Sequence, residues 1–129
     1  MASIFTRIVN GEIPCYKVAE TEDYLAFLDV RPVAKGHTLC IPKKEIDYIF
    51  DVEDDLLAGL MIFAKRVAKA VEKEVPCLRC GVAVIGLEVR HAHIHLIPLN
   101  SMADFNIKNK IDMTAEELTE LAGKIGAHL

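Results

Sequence analysis

Histidine stands at positions 91, 93 and 95, inside the stretch Arg-His-Ala-His-Ile-His-Leu-Ile-Pro at 90–98, with an apolar residue at each position between. Three of the chain's five histidines fall in this one segment. Residues at i, i+2 and i+4 of a strand point to one face, so an extended segment would line up the three imidazoles and turn Ala92, Ile94 and Leu96 to the other side, toward a core. Such a row has three uses. It can hold a metal, it can fill polar space on a half-exposed sheet, or it can supply a nucleophile flanked by groups that orient it, because neutral imidazole is nucleophilic near pH 7.

Geometry and partners weigh on the first two. At ~3.3 Å per residue the Cα atoms of His91 and His95 would be about 13 Å apart, too far for all three imidazoles to share one ion at zinc–nitrogen bond lengths of ~2.1 Å. A two-histidine site would need a third ligand from His37, Glu88 or the Cys77/Cys80 pair, and the spacing of those residues does not force any of them into place. Three imidazoles that only fill space would each need a hydrogen-bond partner if buried.

The elements that must position the row are legible in part. Ser3 can cap a short helix over IFTRIV that stops at Asn10-Gly11. CYKVAE (15–20) and YLAFLDV (24–30) form a predicted hairpin around TED, and HTLCIP (37–42) follows the turn-forming RPVAKG. Apolar residues recur at helical spacing from about Glu53 to Glu74, and Pro76 ends that pattern. CGVAVIG (80–86) reads as a buried strand and VRHAHIHLIP (89–98) as the last one. Thr114 and Glu117 form a capping box that opens a helix with Leu118, Leu121, Ala122 and Ile125 on one face. The expected fold class is α+β: five antiparallel strands, one long helix and shorter terminal helices.

The totals agree with a small globular protein. A chain of 129 residues, 52% hydrophobic and 26% charged, is of single-domain size. No apolar run approaches the roughly 20 residues of a membrane helix, and residues 1–20 lack the pattern of an export signal, so a cytoplasmic location is expected. Cysteines at 15, 40, 77 and 80 suit reduced thiols there, with a metal-like spacing only at Cys77/Cys80. A net charge of −4 argues against nucleic acid as a partner but leaves room for a small anionic ligand. No Walker-type or GxGxxG loop is present, so phosphate would have to be held by the histidines and nearby backbone amides.

HAHIHLI fits the His-φ-His-φ-His-φ-φ signature, φ being apolar, and the chain resembles the histidine triad (HIT) nucleotide hydrolases and transferases. SIFTRIVNGEIPCYKV, AFLDVRPVAKGHTLCIPKK and GLEVRHAHIHLIP are similar to that family's segments in that family's order, over roughly residues 3–99, with closest likeness to the bacterial, phosphoramidase-like branch. The C-terminal extension with its helix at 114–126 lies beyond.

The resemblance implies that His93 attacks the α-phosphorus of a purine nucleoside phosphoramidate or dinucleoside polyphosphate, giving a nucleotidyl-histidine that water hydrolyses. It implies that His91 and His95 orient the ring and bind phosphate, that His37 is a fourth site histidine, and that Asp29 receives the ribose hydroxyls. Ile4, Phe5, Ile8, Phe27, Val30 and Leu39 fall where that family builds its purine slot. A homodimer paired through the long helix and the adjoining strand is also implied. No metal or other cofactor is expected: the zinc pattern of some members needs a CxxC near the N-terminus, where this chain has Ser3 and Thr6, and a further ligand position is Glu45. One departure bears on substrate. Where the family carries Gly-Gln-Ser/Thr-Val, this chain has Gly86-Leu87-Glu88-Val89, which sets Glu88 near the leaving group. The alternative is a nucleotide-binding or scaffold protein with weak or lost catalysis.

Overall fold

A computed structural model describes residues 2–129. The short helix α1 (Ile4–Val9) is followed by β1 (Lys17–Glu20), β2 (Tyr24–Leu28) and β3 (Thr38–Pro42), then the long helix α2 (Asp54–Glu74), β4 (Arg79–Ala83), β5 (Ile94–Leu99) and α3 (Ala115–Gly126). The strands form one antiparallel sheet in the order β1-β2-β3-β5-β4. This is the expected α+β fold, with the long helix and both terminal helices where the sequence pattern put them.

Strand alternation divides the core. Ala26 and Leu28 of β2, Cys40 of β3, and Ile94 and Leu96 of β5 face α2 and α3, where they meet Leu60, Phe63, Val67, Val71, Leu118, Leu121 and Ile125. Their neighbours Leu25, Phe27, Leu39 and Ile41 point the other way and pack with Phe5 of α1 and, at its edge, Ile8 and Val89. The first cluster is covered by two helices and the second by one short one. The site lies on the thinly covered side.

Both ends of the chain are locked by local chemistry. The Ser3 hydroxyl accepts from the Thr6 backbone N–H, and Gly11 takes the positive φ of 78° that lets the chain turn away after α1. Thr114 and Glu117 cap α3 reciprocally.

Two expectations are corrected. The last strand does not run from 89: its ladder starts at Ile94, so of the three histidines only His95 is a strand residue. Upstream, β3 has reached Pro42, and the carbonyl the ladder would use there is taken by the His91 ring instead. The segment at 80–86 is not a buried strand. It forms the sheet edge as β4, with Val82 exposed, and it leaves the ladder at Ala83, so that Val84 and Ile85 also meet solvent. On α2, Ala64 is buried in the protein's own core and Ala68 packs against it, whereas Met61 is exposed. Lys43 follows β3 and pairs with Glu20 at 2.7 Å.

The turn that delivers His37 depends on Gly36, whose φ is +93° and where a Cβ would come within 3.0 Å of a Val75 methyl and 3.2 Å of the Pro98 ring. Gly36→Ala should therefore destabilise the protein by roughly 1–3 kcal/mol, measured by denaturant unfolding. Stability equal to the parent's would show that the loop relaxes without strain.

Candidate active site

The site face carries Phe27, Leu39 and His95 side by side across three strands, since Phe27 pairs with Leu39 and Leu39 with His95. His93 follows in space: its ring lies 4.8 Å from that of His95, centroid to centroid, and 5.1 Å edge-on from Phe5. Phe5 also touches the rings of His91 at 5.8 Å and Phe27 at 5.4 Å. The three histidines therefore share one side even though the ladder stops short of two of them.

Backbone groups settle where the imidazole protons are, because a carbonyl can only accept and an N–H can only donate. His91 Nε2 lies 2.8 Å from the Pro42 carbonyl, so Nε2 carries the proton and Nδ1 is bare in the neutral ring. His93 Nδ1 lies 2.7 Å from the His91 carbonyl, so its proton is on Nδ1 and its Nε2 lone pair is free. His37 Nδ1 accepts from the Val33 N–H at 3.0 Å, so His37 Nε2 donates to His95 Nδ1 at 2.9 Å. That leaves the His95 proton on Nε2. No side-chain nitrogen or oxygen shut off from solvent among the described residues lacks a partner, so the unpartnered Nε2 atoms of His93 and His95 are open to solvent or ligand. One offers a lone pair and the other a proton.

Burial keeps these rings neutral. Desolvation pushes His37 and His95 down to about 4, helped at His37 by the positive charge of Lys110 and at His95 by the neighbouring imidazoles. It also lowers His91 and His93, opposed at His93 by its bond to the His91 carbonyl and by the Asp29 charge.

Asp29 leaves β2 beside them. One carboxylate oxygen accepts from the Arg31 N–H at 2.9 Å, which is the turn-capping task any aspartate does there, while the other lies 3.7 Å from His37 Nε2. Of the slot residues, Phe5, Phe27 and Leu39 are buried together with Ile8 against them, but Ile4 and Val30 are largely exposed. Glu88 is exposed, and Arg90, which could have paired with it, is 3.4 Å from Asp47. Leu87 beside it is 86% exposed. Two cavities of about 380 and 410 Å³ flank Lys35 and Ile111, and neither is lined by a site histidine.

Sequence reasoning missed the three backbone groups that fix the tautomers and the part played by the C-terminal extension. The Ile111 N–H binds the Pro32 carbonyl at 2.8 Å and so brings the neighbouring Lys110 to the site loop. No motif marks such contacts, because any residue supplies an N–H or a carbonyl.

A HIT domain model matches residues 10–102. The chain belongs to the HIT family. A HIT-like protein of Bartonella henselae superposes with a TM-score of 0.86 at 33% identity over 98% of this chain and 96% of that one. An adenosine 5′-monophosphoramidase of Saccharomyces cerevisiae is 42% identical over 75% of this chain and 62% of its own length. A zinc-bound histidine triad protein of Mycobacterium smegmatis superposes with a TM-score of 0.83 at 26% identity over 99% of this chain and 93% of that one.

The residues at the HIT zinc positions do not fit zinc in this chain. Ser3, Thr6 and Glu45 present two hydroxyls and a carboxylate already bonded to one another, and His91 Nδ1 takes a bond from Ser3 at 2.8 Å. Among the described residues, the group that could hold a cation is Asp29, His37 and His95, whose donor atoms lie within 4.8 Å of one another, and a metal there would break the His37–His95 bond.

The rate should respond to acid in a defined direction. If His93 Nε2 attacks, protonation abolishes the lone pair, and because burial lowers this group, kcat/KM should stay level as pH falls through 6.5 and drop only below it. A pH–rate profile whose acid limb sits above 7 would contradict this wiring.

Proposed function

We propose that this HIT protein is a nucleotidyl hydrolase or transferase acting at the α-phosphate of a purine nucleoside phosphoramidate or a dinucleoside polyphosphate. The observation that carries the reading is the pairing of an unprotonated, solvent-open His93 Nε2 with a protonated His95 Nε2 on the adjacent ring. His93 Nε2 forms the N–P bond as the P–N or P–O bond to the leaving group breaks. The His91 carbonyl, already accepting from Nδ1–H, stabilises the positive charge that the ring gains. His95 Nε2–H donates to a phosphoryl oxygen or to the departing group. Water then cleaves the nucleotidyl-histidine and restores the ring. Asp29 holds the ribose hydroxyls, and the base lies against the apolar face of Phe5, Ile8, Phe27 and Leu39. The similarity to a yeast adenosine 5′-monophosphoramidase supports an amine leaving group and adenine as base.

A second reading, a nucleotide-binding protein with feeble turnover, is favoured by one observation: Leu87 and Glu88 stand exposed in solvent, so the segment before the triad offers the leaving group no neutral polar side chain. Both readings are decided in one assay. With adenosine 5′-monophosphoramidate, the parent should release AMP, and His93→Ala should lower kcat by roughly 10³-fold or more while still binding AMP. Undiminished turnover by the variant overturns the covalent route. Binding without turnover by the parent supports the second reading.

The partner in solution is a second copy of the chain. The unpaired edge of β4, with Val82 exposed and Val84 and Ile85 just beyond it, and the exposed Met61 and Ile62 of α2 offer apolar surface and free strand groups that association would cover. Sedimentation at micromolar concentration should give about twice the 14.3 kDa chain mass. A species of single-chain mass alone would refute the dimer.

A further inference from the structure

Outside the four histidines, one side-chain cluster ties the start of the chain to the triad. A single carboxylate oxygen of Glu45 accepts from both the Ser3 backbone N–H and the Thr6 hydroxyl, each at 2.6 Å. Ser3 Oγ in turn accepts from the Thr6 N–H at 3.0 Å and lies 2.8 Å from His91 Nδ1. The protons in this cluster have one consistent arrangement. His91 Nε2 holds its proton for the Pro42 carbonyl, so Nδ1 must accept, and the only hydrogen Ser3 Oγ has is the one it donates there. Thr6 gives its hydroxyl hydrogen to Glu45. Every bond then runs one way: the two donors that Glu45 satisfies are those that would otherwise compete for Ser3 or leave it free to turn.

Phe5 sits between Ser3 and Thr6 in sequence, so whatever fixes those two residues also fixes the ring that backs His91 and His93. We propose that Glu45 is a positioning residue, a carboxylate clamp in place of a metal, which holds the first turn of α1 so that Ser3 orients His91 and Phe5 braces His93. The clamp continues into the backbone, because the Ala92 N–H, next to His91, binds the Ile46 carbonyl, next to Glu45, at 2.7 Å. Side chain and main chain thus join the same two segments.

An anionic acceptor suits the task. Two donors converge on one oxygen, and bonds to a charged acceptor are shorter and about twice as strong as neutral ones. They hold the Glu45 carboxyl down to about 2, with the Thr6 bond the largest cause, so it stays ionised well below neutral pH. Glu45 itself bonds to no triad nitrogen. It acts through Ser3 and Thr6.

The catalytic consequence rests on reading His93 as the nucleophile, whereas the clamp does not, and the test separates them. Glu45→Ala, Glu45→Gln, Ser3→Ala and the double variant Glu45→Ala/Ser3→Ala are compared by nitrogen-15 NMR of the imidazoles and by turnover of adenosine 5′-monophosphoramidate, with circular dichroism as the folding control. Ser3→Ala and Glu45→Ala should each shift the His91 Nδ1 resonance and lower kcat about tenfold or more, the order of loss expected when a reacting group drifts by a fraction of an ångström to an ångström. The double variant should fall no further than the worse single one, since both cut the same linkage. Glu45→Gln, which keeps an oxygen acceptor, should recover much of the loss. Folded alanine variants with unshifted His91 signals and parental kcat overturn the proposal, and so does a double variant whose losses multiply. If the parent has no turnover, the reading of function fails and the His91 signal alone decides the clamp. If Glu45→Ala does not fold, Glu45→Gln decides it: the loss of charge should move the His91 Nδ1 resonance, by less than Ser3→Ala does, and a resonance that stays at the parental position overturns the clamp.

Discussion

The structure depends on a rule about buried imidazole: a ring out of water must have partners for its nitrogens, and each partner dictates where the proton is. Three backbone groups set all four rings here. The Pro42 carbonyl fixes His91, the His91 carbonyl fixes His93, and the Val33 N–H fixes His37 and, through it, His95. Nothing in this arrangement requires an ion. The sheet brings the segments within reach, and the main chain assigns donors and acceptors before any ligand arrives, which is the condition under which fixed dipoles aid a reaction most.

The division of labour between sheet faces follows from that demand. The face under α2 and α3 is closed by large aliphatic side chains and carries no site group. The other face has only α1 over it, because a full helical layer would shut the histidines away. Thin cover has a cost: six residues of helix cannot hold themselves in place, and the clamp at Glu45 and the Ser3 cap take over that task.

Much of this was legible in the sequence, for identifiable reasons. Apolar segments set off by the turn residues TED and RPVAKG marked β2 and β3, the 3.6-residue pattern marked α2, and Thr114/Glu117 marked the start of α3 to the residue. The row at 91, 93 and 95 was recognisable because three imidazoles at alternate positions have few other uses. What stayed hidden was set by pairing and by the main chain. Alternation at 89–93 looks like a strand, but the groups that would continue the ladder bond elsewhere: the Pro42 carbonyl takes the His91 ring and the Ala92 N–H goes to the Ile46 carbonyl. The apolar run at 80–86 looks buried because hydropathy cannot tell an edge strand from a central one. Ser3, Thr6 and Glu45 were noticed as missing metal ligands, yet their mutual bonds are a fact of three dimensions alone.

The loop between β2 and β3 closes on itself. The Asp29 N–H binds the His37 carbonyl at 3.0 Å, the His37 N–H binds the Ala34 carbonyl at 3.0 Å, and the Val33 N–H holds the His37 ring. In entropic terms this is a ring already tied during folding, so a molecule that settles against the Asp29 carboxylate and the His37–His95 pair freezes no backbone there. The spacing between its two points of attachment is a fixed ruler. Whatever touches both has to match that spacing, because the loop's own hydrogen bonds hold it.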